Sequence, residues 1–293
     1  MSNHKHKKIF EISAIIPTFN RDNFIEKCVI SVLNQSKMPE EIIVIDDGST
    51  DNTWNILKEL GFSDSEKKQN SLRYIFQRNK GVSAARNFGI QSSRNEHIAF
   101  LDSDDFWLEN KLEKQIESLK SNAFRFRLSH TNERWFRNGL RVNAHAKHEK
   151  AGGDIFFNCL KLCCISPSSV IVERSVFDEF GFFDESLPAC EDYDFWLRFC
   201  AFEKVHFVSE TLLIKNGGHD GQLSKMHWGM DRFRVRALEK LLRHPNLADS
   251  KRRQTIRELI LKLEILISGG LKRNKYDFVA ELSVKRDQLV EML

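Results

Sequence analysis

Residues 97–107 read His-Ile-Ala-Phe-Leu-Asp-Ser-Asp-Asp-Phe-Trp, an apolar run that ends in Asp102, Asp104 and Asp105. Ile98, Ala99, Phe100 and Leu101 show no polar alternation, which predicts a strand buried on both faces. Such strands belong to parallel sheets, whose carboxyl ends open into a ligand crevice. Three acids within four residues at that mouth repel one another, by about 4 kcal/mol per pair at roughly 4 Å and an effective dielectric near 20. A divalent cation held by carboxylate oxygens, and gripping a diphosphate in turn, offsets that repulsion. The competing reading is an N-terminal cap for a helix over 108–121, where one acid near the dipole contributes about 0.3–1 kcal/mol. A cap needs one acid, and three point to a metal–diphosphate site.

Upstream of this stretch, strands and helices alternate. Ile12–Phe19 predicts a strand, and 21–35 a helix whose stripe is Ile25, Cys28, Val29, Val32 and Leu33. Glu41–Asp47 predicts a second strand, Asp51–Leu60 a helix ended by Gly61, Leu72–Gln77 a third strand, Val82–Ser92 a helix, and Glu96–Asp102 the fourth strand. Repeated β-α units with doubly apolar strands imply an α/β protein with a mostly parallel, Rossmann-like sheet covered by helices on both faces. The middle of the chain reads differently. Phe124–His130 and Glu133–Val142 predict antiparallel strands, the second broken by an Asn138-Gly139 turn. Helices follow over Ile155–Cys164 and Glu191–Phe202, and short strands over Ser168–Glu173, Val205–Val208 and Thr211–Lys215. From Trp228 onward the pattern is helical, over Trp228–Arg243, Ser250–Ser268 and Asn274–Leu293, with Pro245 and Gly269-Gly270 as the breaks.

The bulk composition, 41% hydrophobic and 29% charged in 293 residues, is that of a water-soluble globular chain with room for a full core. A net charge of +4 implies no nucleic-acid partner, and no basic stripe interleaved with aromatics occurs. Residues 1–9, with His4-Lys5-His6-Lys7-Lys8, read as a disordered basic tail, since no apolar stretch follows that would make it a leader. No run approaches the ~20 apolar residues of a membrane span. The 6 cysteines lack C-x-x-C spacing and read as reduced, buried thiols of a cytoplasmic protein.

The first two strands end in Ile15-Ile16-Pro17-Thr18-Phe19-Asn20-Arg21 and Val44-Ile45-Asp46-Asp47-Gly48-Ser49-Thr50-Asp51, at one edge of a parallel sheet. Asp46 or Asp47 could accept the N3–H of a uracil or thymine ring framed by Pro17 and Thr18, while Ser49 and Asp51 also suit helix capping. No G-x-G-x-x-G follows the first strand, and no phosphate-binding G-x-x-x-x-G-K-[ST] occurs anywhere.

Pro-Thr-Phe-Asn-Arg at 17–21, Val-Leu-Asn-Gln-Ser at 32–36, Val-Ile-Asp-Asp-Gly-Ser-Thr-Asp at 44–51, Gly-Val-Ser-Ala-Ala-Arg-Asn at 81–87 and Leu-Asp-Ser-Asp-Asp at 101–105 stand in one order and spacing. Together they resemble the inverting glycosyltransferases of family 2, over roughly residues 10–225. The resemblance implies a GT-A fold over 10–225, with 10–122 as the nucleotide-binding half and 123–225 as the acceptor and catalytic half, followed by a helical appendage over 226–293. It implies a nucleotide-diphosphate sugar as donor, UDP-linked by preference, and a saccharide or lipid-linked saccharide as acceptor. It places Pro17, Thr18, Asn20, Asp46 and Asp47 at the nucleotide and brings Arg86 toward the nucleotide and its acidic neighbours. It assigns Asp102, Ser103 and Asp104 to the donor, with Mn²⁺ or Mg²⁺ held by Asp104 or Asp105.

Cys190-Glu191-Asp192-Tyr193-Asp194 supplies the second acidic element. By the same resemblance Asp192 is the general base that takes the acceptor's hydroxyl proton, with Glu191 orienting or contacting the acceptor. The bland alternative is that these acids only favour a helix N-terminus. Asn216-Gly217-Gly218-His219-Asp220-Gly221-Gln222-Leu223-Ser224 reads as a glycine-rich lid in which His219 could complete the metal shell or touch the diphosphate. His145 and His148 sit in a polar stretch and take no role. Apolar stripes such as Ile256, Leu259, Ile260 and Leu263, with Lys251, Arg252, Arg253, Arg257 and Lys262 on other faces, suit packing on the main domain, a homodimer, or peripheral contact with the inner face of an anionic membrane. The rival from another class is a non-catalytic sugar-nucleotide-binding subunit that scaffolds a partner.

Overall fold

The computed structural model describes residues 10–64, 71–123, 125–143, 148–219 and 227–293. The tail 1–9, His145 and loop positions 220–226 lie outside the described residues. Ten strands form one sheet in the order β3-β4-β2-β1-β5-β9-β7-β10-β6, with β8 beside β7. They are β1 (Ile12–Thr18), β2 (Glu41–Asp46), β3 (Ser63–Asp64), β4 (Leu72–Phe76), β5 (His97–Phe100), β6 (Phe106–Trp107), β7 (Leu128–Arg137), β8 (Leu140–Val142), β9 (Ile171–Glu173) and β10 (His206–Gly217). β1 pairs parallel with β2 and β5, and β2 parallel with β4. Thr18 therefore lies opposite Asp46, and the ends of β1, β2 and β5 share one edge. The antiparallel β9 joins this half of the sheet to β7.

Alternating residues of β1 and β2 divide between two cores. Ile15, Ile43 and Ile45 face one side of the sheet, and Ile12, Ala14, Ile16, Ile42 and Val44 the other. The second side is covered by α1 (Ile25–Leu33), α2 (Thr53–Glu59) and α4 (Lys111–Ser121). The first side is covered by α3 (Val82–Ser92), α5 (Phe156–Lys161), α6 (Ser175–Phe180) and α7 (Glu191–Cys200). It also carries α8 (Asp231–Leu242), α9 (Asp249–Leu271) and α10 (Tyr276–Glu291). The C-terminal helices thus extend the core of the sheet's first face instead of hanging from it.

Three expectations need correction. The expected strand pair of 124–130 and 133–142 is one continuous β7 folded back on the short β8, with positive φ at Asn138 (49°) and Gly139 (77°) forming the turn. The two short strands expected over 205–215 are one strand, β10, whose irregular register between Val208 and Leu213 hides its continuity from a pattern reading. Gly269-Gly270 does not break the helix: α9 runs through it to Leu271, and the glycine at 270 leaves room for α10, since a Cβ there would lie 2.6 Å from Val279 Cγ2. No described helix is long and apolar enough to cross a membrane.

Gly89 sets the depth of α3. A Cβ there would sit 2.4 Å from Ile15 Cγ2 in the middle of β1. Alanine is favoured over glycine by about 1 kcal/mol inside a helix, but overpacking against a sheet costs about 1–3 kcal/mol. Gly89→Ala should therefore shift the urea midpoint downward, and an upward shift would show that α3 can lift without penalty.

Candidate active site

β5 and the turn after it deliver the three acids to the carboxyl edge of the sheet. Each meets a different environment. Asp102 Oδ1 accepts from Arg86 Nη2 at 2.6 Å, and Arg86 Nη1 donates to Glu191 Oε1, also at 2.6 Å. Arg86 is 3% exposed, so it bridges two carboxylates from distant parts of the chain and offers the cleft little surface. Burial alone would lower the guanidinium pKa, but Asp102 and Glu191 outweigh it and hold Arg86 firmly charged. Burial acts to raise Asp102, yet Arg86 and Lys215 pull it below the usual carboxylate range. Glu191 is pushed up, first by burial and then by the neighbouring charge of Asp192.

Asp105 is buried, with Oδ2 accepting from Ser168 Oγ at 2.7 Å and Oδ1 from the Asn216 backbone N–H at 3.1 Å. Burial raises its pKa well above the usual value. Lys215 Nζ stands 4.0 Å from Asp105 and donates to Ser166 Oγ at 2.9 Å. Burial acts to lower this lysine, but Asp105, Glu133, Asp102 and Asp104 raise it on balance. Asp104 keeps partial exposure, and its Oδ2 lies 2.8 Å from His219 Nε2. Of the two aspartates named as metal ligands, Asp104 is the one left open to the cleft.

Asp104 offers the carboxylate oxygen that a hard divalent ion takes, with the softer imidazole of His219 beside it. An oxygen donor and an imidazole converge there, and Mg²⁺ or Mn²⁺ takes few protein ligands when phosphate oxygens and water fill the rest. Among the described residues no cluster of three or more His, Cys, Asp or Glu side chains forms a cage that would hold a metal unaided.

The nucleotide side divides between recognition and bracing. Asp46 is 1% exposed and saturated: Oδ1 accepts from the Ser49 N–H at 2.7 Å and Oδ2 from Tyr74 Oη at 2.8 Å. Asp47 takes Gln77 Nε2 at 2.6 Å and the backbone N–H groups of Lys80 and Gly81, both at 2.8 Å, and so fixes the loop that enters α3. Asn20, at φ 50°, accepts the Thr50 N–H at 2.8 Å and donates its own N–H to Ser49 Oγ at 2.8 Å, clasping the two strand ends together. Pro17 and Thr18 end β1 at this edge, and Ser103 is buried between the acids.

α7 opens with Cys190 in the left-handed region (φ 63°), which turns Glu191 inward onto Arg86. Asp192 remains partly exposed; its Oδ2 accepts a weak bond from Cys163 Sγ at 3.2 Å. Burial and the Asp192 charge push the Cys163 thiol pKa up, so the thiol stays protonated as a donor. Lys215, Ser168 and Cys163 were not foreseen from the sequence. Lys215 alone left a signal there, as a charge at the end of an apolar strand.

A family model for glycosyl transferase family 2 matches residues 13–180, more than half of the chain. The chain belongs to this family. An uncharacterized glycosyltransferase of Rickettsia bellii is 32% identical over 221 residues, 72% of this chain and 30% of that protein. The chain therefore spans about a third of that relative. WfgD of Escherichia coli, a UDP-Glc:alpha-D-GlcNAc-diphosphoundecaprenol beta-1,3-glucosyltransferase, is 35% identical over 187 residues, 64% of this chain and 68% of WfgD. Among solved structures, residues 1–349 of S. aureus TarS in complex with UDP-GlcNAc superpose with a TM-score of 0.74 at 17% identity, covering 96% of this chain and 82% of that one. The fold is the GT-A fold of these neighbours.

Arg86→Met leaves buried Glu191 and half-buried Asp102 without their counter-charge, and stranding the buried acid costs about 3–5 kcal/mol. Urea denaturation should show that loss, and Arg86→Met combined with Glu191→Gln should recover part of it. Additive losses in the double variant would mean that the two residues do not depend on each other.

Proposed function

We propose that this protein transfers a sugar from a UDP-linked donor to a hydroxyl acceptor with inversion at the anomeric carbon. One observation carries the reading: Arg86 ties Asp102, at the end of β5, to Glu191 at the start of α7, so a donor-side cluster lies beside a candidate base. The names of WfgD and of the TarS complex, which specify UDP-sugars, support the donor class, and that of WfgD supports a lipid-diphosphate-linked acceptor.

Asp192 accepts the acceptor's hydroxyl proton as the oxygen attacks the anomeric carbon. The bond from that carbon to the diphosphate breaks, and the electron pair leaves with the diphosphate. Glu191, oriented by Arg86, lines the acceptor side. Asp104 and His219 would hold Mn²⁺ or Mg²⁺, and Asp102 with Ser103 would contact the donor. When bound, the ion neutralises charge gathering on the leaving diphosphate. Lys215, beside Asp105, keeps the inner acids balanced. Pro17, Thr18 and Asp47 border the base, whereas Asp46 braces the loop.

Asp192→Asn should cut transfer by about 10²–10⁴-fold while UDP affinity by calorimetry stays within about twofold; unchanged turnover would remove Asp192 from the mechanism. Asp104→Ala should abolish the manganese-dependent part of UDP binding in the same titration. Affinity that still rises with added manganese would move the metal elsewhere.

A further inference from the structure

The chain's charge is divided unevenly. Residues 227–293 hold 15 Lys and Arg against 9 Asp and Glu, a net +6 in a protein whose total is +4, so the remainder is slightly acidic. Part of that excess meets exposed apolar surface at the corner where α8 begins, α9 ends and α10 begins. Trp228, Leu271 and Tyr276 are 47%, 50% and 64% exposed there. The Arg232 guanidinium lies 3.6 Å from the Trp228 ring centroid and Lys275 Nζ 4.2 Å from it. Arg236 is close enough to Arg232 to depress that guanidinium further, after burial, and Lys272 and Arg273 are exposed on the same connection.

Among the described residues no salt bridge engages Arg232, Arg236, Lys272, Arg273 or Lys275, although the neighbouring Arg234 pairs with Asp231 at 2.8 Å. Asp277 is the sole acid from 265 to 280. Unpaired cations surrounding an exposed indole and phenol are the chemistry of a bilayer headgroup region, where aromatic rings sit at the interface and each cation gains from anionic lipid.

We infer that this corner is a docking site for an anionic lipid surface. Its place in the fold gives docking a purpose. Met230, two residues after Trp228, accepts from Cys190 Sγ at 3.8 Å, and Arg234 lies 5.9 Å from the Tyr193 ring, so the corner adjoins the start of α7 and Asp192. Docking there sets the acceptor side of the cleft against the membrane, where a lipid-diphosphate acceptor resides. That last consequence rests on the transferase reading; the surface itself does not.

The full chain should co-sediment with vesicles of phosphatidylcholine containing phosphatidylglycerol, but not with phosphatidylcholine alone, and the binding should weaken with added salt. Removing one cation should weaken binding about fivefold, and the triple variant Arg236→Ala, Lys272→Ala, Lys275→Ala on the order of a hundredfold. Arg253→Ala with Arg257→Ala, roughly 27 and 21 Å from Leu271 along α9, should change it less than about threefold. Circular dichroism melts of each variant establish that it is folded. Trp228→Phe should abolish the blue shift of tryptophan emission on adding vesicles. Equal binding to neutral vesicles, or undiminished binding by the triple variant, would overturn the inference. So would a dimer in light scattering without lipid that the triple variant loses, which would make the corner a protein interface. Because no donor is present, a failure here leaves the transferase reading standing, and the reverse also holds.

Discussion

A buried guanidinium between two carboxylates organises this molecule. Arg86 is distant from Glu191 in sequence, and the pairing joins the β5 edge to the N-terminus of α7. Burying Arg86 and Glu191 and half-burying Asp102 is expensive, and the arrangement is favourable only because both acids meet the same cation at hydrogen-bonding distance. Everything that fixes Arg86 contributes: the glycine contact that seats α3 on β1, the Asp47 carboxylate that holds the loop before it, and the left-handed Cys190 that turns Glu191 inward.

The remaining charges follow a similar logic. Asp102, Asp104 and Asp105 repel one another, yet the protein relieves each differently, through Arg86, through an imidazole beside an open cleft, and through Lys215 with Ser168 and a backbone N–H. Cation demand at the cleft is thereby reduced to one open carboxylate with His219 beside it.

Legibility in the sequence tracked how local each signal was. β1, β2 and β5 are doubly apolar runs, and α3 matched its expected bounds of Val82–Ser92, because burial on both faces and a glycine turn are written in consecutive residues. The half from 123 to 217 was harder: β7 mixes polar and apolar residues at its far end, and the bulged β10 loses strict alternation. In the site, residue types at a strand end pointed to Asp102 and Asp104, and the family resemblance pointed to Glu191 and Asp192. Their division of labour was invisible there, because it depends on partners far off in sequence. Tyr74 occupies Asp46, Ser168 and Asn216 occupy Asp105, and Glu191 occupies Arg86.

The continuous core under α7, α8, α9 and α10 has a consequence for how such chains diverge. Phe195 and Trp196 on α7 belong to the same apolar cluster as Leu238, Leu259 and Leu282 from the three C-terminal helices. A lobe that shares its interior with α7 cannot be exchanged between relatives like a cassette. Recombination at residue 226 would leave mismatched side chains beneath Asp192, so novelty in this lobe must arise by gradual drift on its outer faces.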